Sequence, residues 1–276
     1  MKKFILIVSI NCIMSSCVTQ DKYDEVNKEK SALEQEIQEL KFGAPNLLSD
    51  AKKFYEAKDY LHAKEKLNTL LEKHPDRPEI AEAKQILSVI DEEESWNIAI
   101  NFTDITNTEN YITSYPNGKY SSLARQRLQE LRIAKEKSDY ENALSQNSSS
   151  VWKSFITNYP NRSDISEIQK RIIKSEIDEI MGERETGKLP SFDQTSTEYS
   201  SSSNISISND TQCELTVRYS GPDITMIEIP AGGTRTVFLQ SGSYRIAASA
   251  CGSNYAGSED LHGDYSVKYY IVTSRY

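Results

Sequence analysis

Ala51-Lys52-Lys53-Phe54-Tyr55-Glu56-Ala57-Lys58-Asp59-Tyr60-Leu61-His62-Ala63, followed by Leu67, Leu70, Leu71 and Pro75, is the stretch on which the fold of this chain turns. It reads as two helices joined at Lys58-Asp59. Ala63 is small, so the two helices can approach closely, and Tyr60 and Leu67 fill the gap between them. Pro75 stops the second helix, because proline has no N–H to donate and its ring clashes with the preceding turn. Asp76-Arg77-Pro78-Glu79 then reads as a capping box that opens the next helix, with proline tolerated in its first turn.

The pattern recurs downstream. Tyr115-Pro116-Asn117 and Tyr159-Pro160-Asn161 lie 44 residues apart, Ala99 and Ala143 share that spacing, and His74-Pro75-Asp76 is an earlier echo 41 residues before Tyr115-Pro116-Asn117. Each unit reads as a helix ending in aromatic-Pro-polar, followed by a second helix. The expected segments are 96–104, 108–114, 120–146, 151–158 and 164–181. Tyr60, Ala63, Leu67, Leu70 and Pro75 resemble a tetratricopeptide repeat. Lys58 departs from that family, which usually has glycine in the inter-helix turn, and the period here exceeds the family's usual ~34 residues. The resemblance implies that helix pairs over 46–182 stack into a tetratricopeptide-like α-solenoid whose concave face takes extended or helical peptides.

Both flanks differ in period. Residues 21–42 carry a heptad stripe, with Tyr23, Lys30 and Ile37 at one core position and Val26, Leu33 and Leu40 at the other. This predicts a coiled-coil stalk able to self-associate, ended by Phe42-Gly43-Ala44-Pro45. Residues 183–203 read as a Ser-rich linker, broken by Gly187 and Pro190 and closed by Ser200 to Ser203. From 204 to 276 the period becomes two. Cys213, Leu215, Val217 and Tyr219 alternate with polar residues, as do Tyr244, Ile246, Ala248 and Ala250, and then Tyr265, Val267, Tyr269 and Ile271. Short runs at Ile205–Ile207, Ile227–Ile229 and Val237–Leu239 bring the count to about six strands. The expected fold class is therefore multidomain, α then β, ending in a small antiparallel β-sandwich.

The chain has 276 residues and a formal charge of −9. Lys2-Lys3, the apolar run Phe4 to Met14 and the small pair Ser15-Ser16 read as a signal peptide over 1–16. The apolar run is too short to span a bilayer, which needs ~20 residues. Loss of Lys2 and Lys3 would take the charge from −9 to −11. So acidic a chain is unsuited to nucleic acid and to anionic lipid surfaces. Met14-Ser15-Ser16-Cys17 resembles a bacterial lipobox, which implies acylation of Cys17, a lipidated N-terminus over 17–20 and attachment to the bilayer. Val18, where the inner-membrane retention signal of such lipoproteins carries Asp, points to the outer membrane. Residues 17–180 also resemble, in architecture, the tetratricopeptide lipoprotein of the β-barrel assembly machinery and the Tol–Pal-associated coiled-coil/tetratricopeptide protein.

Once Cys12 leaves with the signal and Cys17 is acylated, Cys213 and Cys251 remain. An oxidising compartment permits one disulfide between them, against the alternative of two free buried thiols. Cys251 has the opposite parity to the apolar set Tyr244–Ala250, so it faces inward only if the strand bends there. Glu259, Asp260, His262 and Asp264 are expected in a loop before the last strand. A lone histidine among loop acids points to a polar loop rather than a metal site. With His62, His74 and His262 in separate segments, no catalytic constellation is expected, and no cofactor. The expected function is a non-enzymatic envelope scaffold that contacts other envelope proteins or peptides. The alternative is a glycan- or cell-wall-binding lipoprotein that uses the β-module.

Overall fold

The structure is a computed structural model that describes residues 19–101, 104–196 and 200–270. Cys17 and the expected signal peptide lie outside the described residues. These residues fall into two compact units that divide after Leu131, inside a helix.

The first unit begins with α1 (Gln20–Phe42), in which no residue is buried. Tyr23, Val26, Leu33, Ile37 and Leu40 of the heptad stripe are all exposed. Pro45 sits in the first turn of α2 (Ala44–Glu56), where its missing N–H costs nothing. The turn after α2 is made by Lys58 at φ 60°. Asp59 then caps α3 (Tyr60–Lys73), accepting the His62 N–H at 3.2 Å. Ala63, Leu67 and Leu70 of α3 bury against Leu47, Leu48 and Ala51 of α2 and against Ala83 and Ile90 of α4 (Glu79–Asn101). This helix runs unbroken from Glu79 to Asn101, so Trp96 lies inside it and does not open a separate segment as the pattern predicts. α5 (Ile105–Ser114) and α6 (Ser121–Gln146) follow.

The repeat is physical as well as textual. His74, Tyr115 and Tyr159 end α3, α5 and α7 (Ser149–Asn158) in the same conformation, φ −135°, −129° and −128°, each donating its N–H to the carbonyl four residues back. Leu70, Tyr111 and Phe155 stand at one buried position of the three units, and Ala83, Ala124 and Ile168 at another. Trp96 packs on Tyr111 as Tyr140 packs on Phe155, with ring centroids 5.4 and 5.5 Å apart. Asp104 and Ser148, 44 residues apart, cap α5 and α7 with their side chains. Glu92 ties down the turn after α5 through the Tyr111 hydroxyl at 2.8 Å and the Lys119 N–H at 2.5 Å, and its 44-residue equivalent Glu136 binds Arg162.

The second unit holds the rest of α6, α7, α8 (Ile165–Gly182) and, among the described residues, nine strands: β1 (Gly187–Lys188), β2 (Asp193–Gln194), β3 (Ser202–Asn209), β4 (Leu215–Ser220), β5 (Ile224–Ile229), β6 (Thr234–Gln240), β7 (Gly242–Ala250), β8 (Ser253–Leu261) and β9 (Asp264–Tyr269). They form a five-stranded sheet, order β1-β8-β7-β4-β5, and a four-stranded sheet, order β2-β9-β3-β6. Ile205, Ile207, Leu215, Val217, Tyr219, Ile246 and Val267 are among the residues of the core cluster.

Three expectations are corrected. The sheets are mixed, not antiparallel, since β1 runs parallel to β8 and β3 parallel to β9. Alternation records which face a side chain takes, not which way a neighbouring strand runs. The expected linker over 183–203 carries strand in part of its described residues. β1 and β2 lie in it, each joining one sheet, and Leu189 and Phe192 pack against the core. The unit boundary also falls upstream of 182, because α8 packs on the five-stranded sheet through Ile177 and Ile180 against Ala247.

Candidate functional site: a groove along the free edge of β5

α8 is the helix that positions the site. Its N-terminal half buries Ile168 and Ile172 against Trp152 and Phe155 of α7, and its C-terminal half covers the sheet. Between these two contacts lies Glu176, 8% exposed, where the helical period calls for an apolar residue. It accepts a hydrogen bond from Arg218 Nε on β4 at 2.5 Å and another from Lys153 of α7. Arg218 also donates to Ser249 Oγ of β7 at 3.2 Å. Burial by itself would raise the Glu176 pKa; hydrogen bonds from Lys153 and Arg218 override it and hold the carboxyl below its ordinary value. One carboxylate thus clamps α7, α8 and β4 together.

Beside the clamp runs a groove of about 720 Å³. One wall is Lys153 and Ile156 of α7 with Gln169, Lys170 and Ile173 of α8; the floor is Thr216 and Arg218 of β4 with Ile224, Met226 and Glu228 of β5. The register Thr216↔Glu228, Arg218↔Met226 and Ser220↔Ile224 puts those β5 side chains on the face toward α8. Among the described residues β5 pairs with β4 alone and is the last strand of its sheet. Its other side therefore presents unpaired N–H and C=O groups on alternate residues. At the Ile224 end the groove adjoins a smaller hollow lined by Lys170, Pro222, Asp223, Thr225 and Phe238. Met226 and Phe238 are exposed, at 42% and 74%. Open backbone, apolar side chains and mixed charge suit contact with another polypeptide better than chemistry on a small molecule.

The residues singled out by sequence do not converge on this groove. Cys213 and Cys251 are joined by a disulfide, Cα–Cα 5.4 Å, across 38 residues. Cys251 stands in the turn rather than in a strand. Cys251 at φ 47° and Gly252 at φ 76° form the two-residue hairpin between β7 and β8, so strand parity does not govern its direction. Glu259 and Asp260 belong to β8, not to a loop. Asp260 accepts from Ser243, while Asp264 accepts from Asn204 Nδ2 at 2.7 Å. Among the described residues no three His, Cys, Asp or Glu side chains form a metal cluster. The hydroxyls of Tyr219 and Tyr269, buried in the sandwich, have no hydrogen-bond partner among the described residues.

What sequence reasoning missed is the Lys153–Glu176–Arg218 clamp and the edge position of β5. The first left a trace, a glutamate amid the apolar face of Ile172, Ile173, Ile177 and Ile180. Residues 166–272 match a family described as a domain of unknown function (DUF6759). The match covers less than half of the chain and begins with α8, in keeping with the helix that packs on the sheet. No curated protein matches the chain.

Proposed function

We propose that this chain is a lipid-anchored, non-enzymatic interaction scaffold of the bacterial cell envelope. The groove along the free edge of β5 is the observation that carries the reading, since an open strand edge beside an apolar helix wall is a surface to which another chain can add. Three further features support it. Met14-Ser15-Ser16-Cys17 resembles a lipobox, which implies lipidation of Cys17, and Val18 after it points to the outer membrane as the address. The three helix-pair units, with their repeated caps and buried positions, favour a tetratricopeptide-like solenoid that offers a second contact surface. The exposed heptad stripe of α1 suits a coiled-coil stalk between anchor and repeats.

The test is a pull-down from detergent-solubilised envelope. Recovery of envelope-assembly or division proteins, reduced by Met226→Lys in the groove, is the expected result. Retention on glycan beads without any protein partner overturns the reading. The anchor is checked separately: Cys17→Ser should move the protein from the membrane to the soluble fraction, and unchanged fractionation removes the lipid from the account.

A further inference from the structure

We propose that the occupant of the β5 edge is a second copy of this chain, paired antiparallel about a two-fold axis at Met226 so that two five-stranded sheets continue as one. The inference rests on the reading of this groove as a protein-contact surface and names the partner.

The strand is suited to such pairing. Ile224–Ile229 contains no proline, and its register with β4 is unbroken by a bulge, so its outer row of backbone groups is regular. The opposite edges of the two sheets are β1 and β2, each only two residues long. Very short edge strands are a usual guard against edge-to-edge pairing, and β5 lacks that guard.

Symmetry and charge then fix the register. A two-fold axis normal to the sheet sets each residue opposite one on the same face. Centred at Met226, it places Met226 against itself, Thr225 against Ile227 and Ile224 against Glu228 of the second copy. Lys170 and Glu228 are opposite charges spaced along the groove. Lys170 borders Ile224, as the hollow it shares with Pro222 and Asp223 shows, and Glu228 lies four residues along the strand. The axis brings Glu228 of each copy to the Ile224 end of the other, within the neighbourhood of Lys170, so the same ion pair forms twice. Asp223, at the same end, turns its carboxylate toward Gln240, accepting from its N–H at 2.6 Å and from its side-chain amide at 3.3 Å. Lys170 is bonded to Glu167 at 2.8 Å, but that is an exposed pair one helical turn apart, the kind that is readily exchanged.

The test uses the full-length chain in its membrane. Met226→Cys should give a reducible cross-linked dimer, because the axis sets the two sulfurs face to face. Glu228→Cys, which faces Ile224 rather than itself, should cross-link far less. Added to Met226→Cys, either Lys170→Glu or Glu228→Lys should weaken dimer formation roughly tenfold, since each creates two like-charge contacts. The two reversals together should restore it. Met226, Glu228 and Lys170 are all on the surface, and an unchanged melting temperature checks that the fold survives. No cross-link at 226, or one indifferent to the charge reversals, overturns the proposal, even if the chain dimerises through α1. A chain that stays uncross-linked yet still captures envelope proteins overturns self-pairing and leaves the scaffold reading standing; loss of both removes both.

Discussion

Lys58 carries a long side chain at φ 60°, a left-handed conformation in which any Cβ meets the following carbonyl. Lys58→Gly should therefore stabilise the α2–α3 turn by about 0.5–1 kcal/mol, read as a higher denaturation midpoint at unchanged slope. A loss of stability would mean that the lysine makes a contact worth more than the strain. Tyr219 and Tyr269 pose the converse case, because each buries a hydroxyl without a partner among the described residues. Removing an unsatisfied donor costs nothing in lost hydrogen bonding, so Tyr219→Phe should be neutral or slightly stabilising. Destabilisation by more than ~1 kcal/mol would show the hydroxyl to be engaged after all. The sequence makes Lys58 legible, since its turn follows from the helix patterns on either side. It conceals the tyrosine hydroxyls, because alternation along β4 and β9 marks the side chains as inward without saying what their tips meet.

Among the elements, α8 is the one whose loss should be felt most widely. Glu176→Gln leaves Arg218, a mostly buried cation, without its carboxylate, and should cost about 2–4 kcal/mol at neutral pH. The sign with pH follows from the depressed Glu176 pKa. The contribution is fully present above the carboxyl's ordinary value of 4.5 and is lost as pH falls through the lower folded value. Wild type and Glu176→Gln should thus converge in stability in acid; a gap that stays constant below pH 4.5 would rule out the clamp. The disulfide between the start of β4 and the β7–β8 hairpin closes a loop of 38 residues in sequence separation, and reducing it should cost about 3–4 kcal/mol. Equal melting temperatures with and without reductant would contradict this. β8 shows why some elements escape a reading of sequence. Ser253-Asn254-Tyr255-Ala256-Gly257-Ser258-Glu259-Asp260-Leu261 has weak strand propensity, and it is a strand because β7 and β1 flank it on both sides. Gly257 admits Leu189, whose Cδ1 lies 3.0 Å from where a Cβ would stand. The edge position of β5 is equally hidden, since Ile224–Ile229 would read the same in the middle of a sheet.

At the scale of the molecule, the aromatic-Pro-polar echoes located the three helix pairs because each marks a helix exit that the backbone must obey. A serine run signals a break in composition, while a boundary between compact units depends on packing that crosses it, so the run at 200–203 does not locate the join between helices and sheets. A fragment beginning at residue 132 should therefore unfold in one cooperative transition. A fragment beginning at 204, without α8, β1 and β2, should lose that cooperativity and aggregate; a well-folded 204–276 fragment would restore the linker view. The shared helix has a mechanical consequence. With a slack linker at 183–203, a pull on the chain from its N-terminal side would straighten the linker and spare the sheets. With α8 spread across one sheet and β1 and β2 each stitched to a different sheet, the same pull arrives as shear over a broad, ion-clamped contact, so the β-module bears tension from the first ångström of extension.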